Sequence, residues 1–104
     1  MMKCLKALPY LFIHFVFAAC VTVPAPNEEY VLARTALDAA RAVESARHSS
    51  GNYHQAEEFF RKGRMLFDER EYEEAKDYFI RARFAAEKAE NSARLIRFKN
   101  GEVL

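Results

Sequence analysis

One stretch limits what this chain can fold into more than any other. From Tyr72 onward, Tyr72, Ala75, Phe79, Ala82, Ala86, Ala89, Ala93 and Ile96 follow one another at alternating steps of three and four. That spacing holds them on one side of an α-helix. Just upstream, Ala56, Phe60, Gly63 and Phe67 repeat the pattern, with Phe59 and Leu66 widening the stripe. Two such helices joined by a short turn must fold face to face to remove their stripes from water. The spacing therefore predicts a helix from about Tyr53 to Asp68 and a longer one from Glu71 to Phe98. The second would measure about 40 Å at 1.5 Å per residue, and Asn100-Gly101 supplies its stop signal.

A third helix precedes this hairpin. Pro24 and Pro26 keep Val21 to Pro26 extended. Asn27 is placed to cap a helix whose first turn carries Glu28 and Glu29. That helix is predicted to run to Arg47 and to end in His48-Ser-Ser-Gly51. Its inward stripe is expected to be Leu32, Ala36, Ala39, Val43 and Ala46, flanked by Ala33, Leu37 and Ala40. The expected fold is all-α, a three-helix antiparallel arrangement over residues 27–99, with 100–104 as a tail. At 104 residues, one small domain is all the chain can hold.

The first twenty residues are of a different kind. Lys3 and Lys6 are their only formal charges, Ala7 to Phe17 is mostly apolar, and Ala18 and Ala19 are small. This is the three-part layout of a secretory signal, and its apolar run falls short of the ~20 residues a membrane-spanning helix needs. Phe17-Ala18-Ala19-Cys20 resembles a lipobox, the cleavage site of bacterial lipoprotein signal peptides. The resemblance implies a signal peptide at 1–19, cleavage between Ala19 and Cys20, and covalent lipid on Cys20. Residues 20–26 would then be a lipidated tether. An ordinary signal cut near Ala19 would instead leave Cys20 a free thiol. Val21 follows the cysteine where many enteric lipoproteins retained at the inner membrane have Asp, which points to the outer membrane. Two or more acyl chains anchor stably where one holds only reversibly.

The hairpin carries a second likeness. Gly63, Tyr72, Ala75, Phe79 and Ala82, with Phe59, resemble the tetratricopeptide repeat in residue type and spacing. In that family the small residue lets the second helix approach and the A-x-x-x-F pair fills the groove. Lys62 and Leu66 stand where the family has Leu and Tyr, and Glu87 where a Pro would end the repeat, so this resembles a terminal repeat. Over its mature length the chain is also similar to a class of small bacterial envelope lipoproteins known only as a domain of unknown function. The corresponding segments are Thr35 to Arg47, Ala56 to Leu66 and Tyr72 to Ala93. That likeness implies a fold and an address, and no activity.

Nothing in the pattern points to catalysis. Beyond the leader the histidines are His48 and His54, and neither has a cysteine or a second histidine at helical spacing, so no metal is expected. Glu57-Glu58 and Glu73-Glu74 are adjacent on helices and point about 100° apart, unable to flank one atom. Two of the sixteen basic residues lie before Cys20, leaving fourteen against fifteen acidic ones. That balance gives no electrostatic reason to expect nucleic acid. Arg81, Arg83, Lys88, Arg94 and Arg97 are interleaved with acids and read as a solvated face. No enzyme, cofactor or small-molecule substrate is expected. The long helix is expected to overhang its partner beyond Ala86, which makes Leu95, Ile96 and Phe98 the candidate interaction surface. The expected role is a lipid-anchored, periplasm-facing adaptor for another envelope protein or for copies of itself; the alternatives are a structural envelope component that self-assembles without a distinct client and, third, a cell-wall-associated accessory protein.

Overall fold

The computed structural model describes residues 23–102, and these are helical almost throughout, with no strand among the described residues. Four helices follow in order: α1 (Asn27–Ala42), α2 (Ser45–His48), α3 (Ser50–Asp68) and α4 (Tyr72–Lys99). The expected cleavage and lipidation at Ala19 and Cys20 lie outside the described residues.

Helix α4 is the spine, and both α1 and α3 pack along it. α1 begins beside the start of α4, where Lys76 Nζ lies 3.5 Å from Glu29 Oε1 and the rings of Tyr30 and Phe79 are 5.5 Å apart. α1 therefore runs in the same direction as α4, and α3 runs back between them in sequence, giving an up-down-up bundle.

The core divides along α4 into two clusters. Near the α3–α4 turn, Phe79 is fully buried with Ala33, Leu66, Ala75 and Ala82, and Tyr30, Phe59, Phe60, Phe67 and Tyr78 pack around them. Farther along, Ala85, Ala86 and Ala89 meet Leu37 and Ala40 of α1 and Tyr53 and Ala56 of α3. Small side chains there let three backbones approach closely.

The α3–α4 turn is closed by backbone hydrogen bonds from Arg70 to the Phe67 carbonyl (3.0 Å) and from Glu71 to the Leu66 carbonyl (2.9 Å). This is a Schellman turn, with Arg70 at φ 62° in the left-handed position that glycine usually takes. The end of α4 repeats it with Gly101 at φ 78°. There Gly101 donates to Phe98 (3.0 Å) and Glu102 donates to Arg97 (2.9 Å).

The first helix differs from expectation in three ways. Asn27 is its first residue rather than its cap; Pro26 holds the cap position, and its carbonyl accepts from the Tyr30 amide at 3.1 Å. The inward row is Ala33, Leu37 and Ala40, while Leu32 is exposed and Ala36 and Ala39 are only half-buried. The helix also stops at Ala42 instead of Arg47, because Glu44 turns into the left-handed region at φ 60°. The turn buries Val43 and Ser45 together, at 6% and 0% exposure. A continuous helix would set two residues at that spacing about 200° apart and could bury only one. Ala46, expected inward, is exposed. α3 then starts at Ser50, so Gly51-Asn52 sits inside its first turn rather than breaking the chain.

Candidate functional site

The packing residues expected of the hairpin are distributed as follows. Ala75, Phe79 and Ala82 are fully buried and Gly63 is buried opposite them, while Phe59 and Tyr72 are half-buried. Gly63 is where α3 and α4 come closest. A Cβ there would lie 2.7 Å from both Cδ1 and Cε1 of Phe79. Phe79 fills the notch that glycine leaves, against Phe60 at 5.7 Å and Phe67 at 6.4 Å between ring centroids. Phe59 rests on Tyr78 (6.2 Å) and Tyr72 on Phe67 (5.5 Å). These side chains hold the bundle together and leave no reactive group in reach.

The outer side of α4 presents a second row. Leu95 and Phe98 are 55% and 73% exposed, whereas Ile96 is half-buried and turned towards the bundle. Phe84 at 62% and Ile80 at 36% join the outward row. All four fall within about 60° of one another around the helix, opposite the buried alanines. The stripe is thus longer than the three residues at the helix end, and Ile96 is not part of it. A second, weaker apolar period was present in the sequence, masked by the stronger one. The expected overhang also begins later: Ala89 and Ala93 are fully buried, Ala89 in the cluster with Leu37 and Ala40 of α1 and Tyr53 and Ala56 of α3, and α2 packs on α4 as well.

Ion pairs rim the row. Arg81 meets Asp77 at 2.8 Å, Arg83 meets Glu87 at 3.0 Å, and Arg94 meets Glu90 at 2.9 Å. Three of the seven basic residues of α4 are therefore engaged by acids one turn away. Exposed pairs of this kind contribute little stability, but they outline the apolar face with polar groups.

Between α1 and α3 runs an open groove bordered by Arg34, Asp38, Arg41, Glu57, Arg61 and Arg64. Arg41 Nε donates to the Tyr53 hydroxyl at 3.2 Å across it. Burial pushes the Tyr53 phenol above its ordinary value, and the nearby Glu57 carboxylate adds to the rise. The Arg41 guanidinium is raised in turn, chiefly by its bond to Tyr53. Four arginines face two acids along the groove, and none of these groups forms a nucleophile–base pair.

At the end away from the α3–α4 turn, Glu44, His48 and Glu102 converge, with a ligand atom from each lying within 4.8 Å of the others. Glu44 and His48 come from the kink, one helical turn apart. Glu102 is delivered by the turn at Gly101, and Arg97 Nε donates to its Oε2 at 3.0 Å. The set lacks the Cys or second His at helical spacing that marks a metal site in a sequence. The Glu44–His48 spacing was a readable signal, but Glu102 comes from the other end of the fold. Among the described residues, no helix is long and apolar enough to cross a membrane.

The fold thus defines a small helical-bundle module whose distinctive surfaces are a rimmed apolar face and a carboxylate–imidazole cluster. The chain belongs to the family described as Domain of unknown function (DUF4398), whose model matches residues 28–100. No curated protein and no solved structure matches it.

Proposed function

We propose that this chain is a non-enzymatic docking module of a bacterial cell envelope. Lipid on Cys20 anchors it to the outer membrane, facing the periplasm, and another envelope protein binds along the outer face of α4. One observation carries the reading: Ile80, Phe84, Leu95 and Phe98 lie in a row on the face of α4 that the bundle does not use. Large apolar side chains aligned and rimmed by polar groups mark interaction surfaces in soluble domains. The row comes as two pairs about 16 Å apart, from eleven residues at 1.5 Å each between Phe84 and Leu95. Glu87, Lys88 and Asn91 lie between the pairs, which suits a partner with two apolar contacts and a polar middle. The terminal-repeat likeness of the hairpin is consistent with such a role but adds no partner.

The test is cross-linking of the full-length protein in intact cells, followed by its recovery. The reading expects one envelope protein in stoichiometric yield, lost in Leu95→Glu and Phe98→Glu while helicity is unchanged. Cross-links between copies of the chain alone would replace it with a self-assembling structural component. Binding to isolated cell-wall sacculi would favour the accessory role. For the anchor, Cys20→Ala is expected to abolish acyl labelling and release the protein from membranes; unchanged fractionation would remove lipidation from the proposal.

A further inference from the structure

We propose that Glu44, His48 and Glu102 bind a divalent transition-metal ion of the zinc type, which fastens the last turn of the chain to the kink between α1 and α2. The proposal is independent of the docking role. It starts from an orphaned group. The His48 side chain is only 8% exposed, and its Nε2 is buried with no hydrogen-bond partner. The nearest carboxylate oxygen, Glu44 Oε2, is 3.8 Å away, beyond hydrogen-bond reach. A buried polar atom without a partner is destabilising, and this one points into a space that also receives two carboxylates.

The separations suit an ion better than a direct bond. Zinc lies about 2.0–2.1 Å from imidazole nitrogen and 2.0–2.2 Å from carboxylate oxygen, so neighbouring tetrahedral ligands stand about 3.3 Å apart. Glu44, whose side chain is half exposed, can close that gap by a change of rotamer. Glu102 is already aimed. Its backbone is fixed by the turn at Gly101, and Arg97 holds Oε2, leaving the second oxygen for the ion. Outer groups orient carboxylate ligands in this way in metal sites generally. The two carboxylates and the Arg97 guanidinium sum to one negative charge, so a dication is attracted, less strongly than it would be without the arginine. One imidazole with two carboxylates selects zinc-type ions over calcium or magnesium, which prefer all-oxygen shells.

The experiment is thermal unfolding of the full-length protein in detergent, with metal removed and then with Zn²⁺ added, alongside equilibrium dialysis. An ion held only by the folded state raises the midpoint. The expected result is one zinc bound at the cluster and a Tm rise of about 5 °C or more. His48→Gln and Glu102→Gln should weaken this binding at least tenfold. Cys4 and Cys20 are unchanged in both variants, so binding by thiols cancels from the comparison. Glu102 lies past the end of α4, so its variant folds even if the buried His48 substitution does not. No midpoint change in the unmodified protein, or Glu102→Gln binding as tightly as wild type, would overturn the proposal. An equal rise with Mg²⁺ or Ca²⁺ would overturn the choice of ion.

Discussion

The two halves of the core reach burial by opposite routes. Around Phe79, the rings of Tyr30, Phe60 and Phe67 fill the space between helices with volume. Farther along, Ala40, Ala85, Ala86 and Ala89 fill it by bringing the helices together. Aromatic side chains remove much more apolar surface per residue, and edge-to-face or offset pairs add to that. The alanine half gains less from each residue, although it orders as much backbone. Ser45 Oγ and His48 Nε2, which are buried without hydrogen-bond partners, both lie in the segment that covers this half. The aromatic half supplies stability, and the alanine half sets the spacing and carries the polar anomalies.

The sharpest way to break this comparison is Phe79→Ala. Truncating a fully buried phenylalanine should cost about 3–5 kcal/mol, enough to unfold a bundle of this size, as read by denaturant melts. A cost below that of an ordinary surface substitution would mean that the rings are not what holds α3 to α4. Gly63→Ala tests the same half by filling rather than emptying it. The new Cβ strikes a ring that Tyr30, Phe60 and Phe67 enclose, so it cannot swing aside. Overpacking of about 1–3 kcal/mol, less about 1 kcal/mol of helix propensity, predicts a net loss of about 0–2 kcal/mol. A gain in stability would show that the contact relaxes freely.

The smallest effect belongs to the alanine half. Tyr53→Phe removes the hydroxyl that accepts from Arg41 and should cost about 0.5–1 kcal/mol at neutral pH. Its pH dependence has a definite sign. The folded phenol titrates above its ordinary 10.0 because burial and Glu57 disfavour the phenolate. The associated stability is therefore complete below pH 10 and is lost as pH climbs through the folded value. Melts in alkaline buffers should show wild type losing stability more steeply than Tyr53→Phe; parallel curves would remove Tyr53 as the cause.

The long helix and its hairpin partner were legible because one unbroken period runs from Tyr72 to Ile96, and no other register is as apolar. The first helix was less so. Alanine occurs on several of its faces, and the row through Leu32, Ala36 and Ala39 looks as apolar as its neighbour. Within α1 the row that turns inward holds two large apolar side chains, Tyr30 and Leu37, against one, Leu32, in the row beside it, and side-chain area decides which face is worth burying. Side-chain size was the missed signal. The kink had no local signature, because Glu44 takes a left-handed backbone without being Gly or Asn, at a strain of about 1–2 kcal/mol. The Glu44–His48–Glu102 cluster depends on that kink, so it could not be assembled from spacing alone.

The parallel course of α1 and α4 has a geometric consequence. The described chain enters at the aromatic end and leaves at the opposite end, past the last turn of a 28-residue helix. Its two ends are thus held about 40 Å apart by a rod that cannot shorten without unfolding. Wherever the start is fixed, the far tip stands off by that length in a set direction. A label or fused domain placed after Glu102 would report that standoff directly.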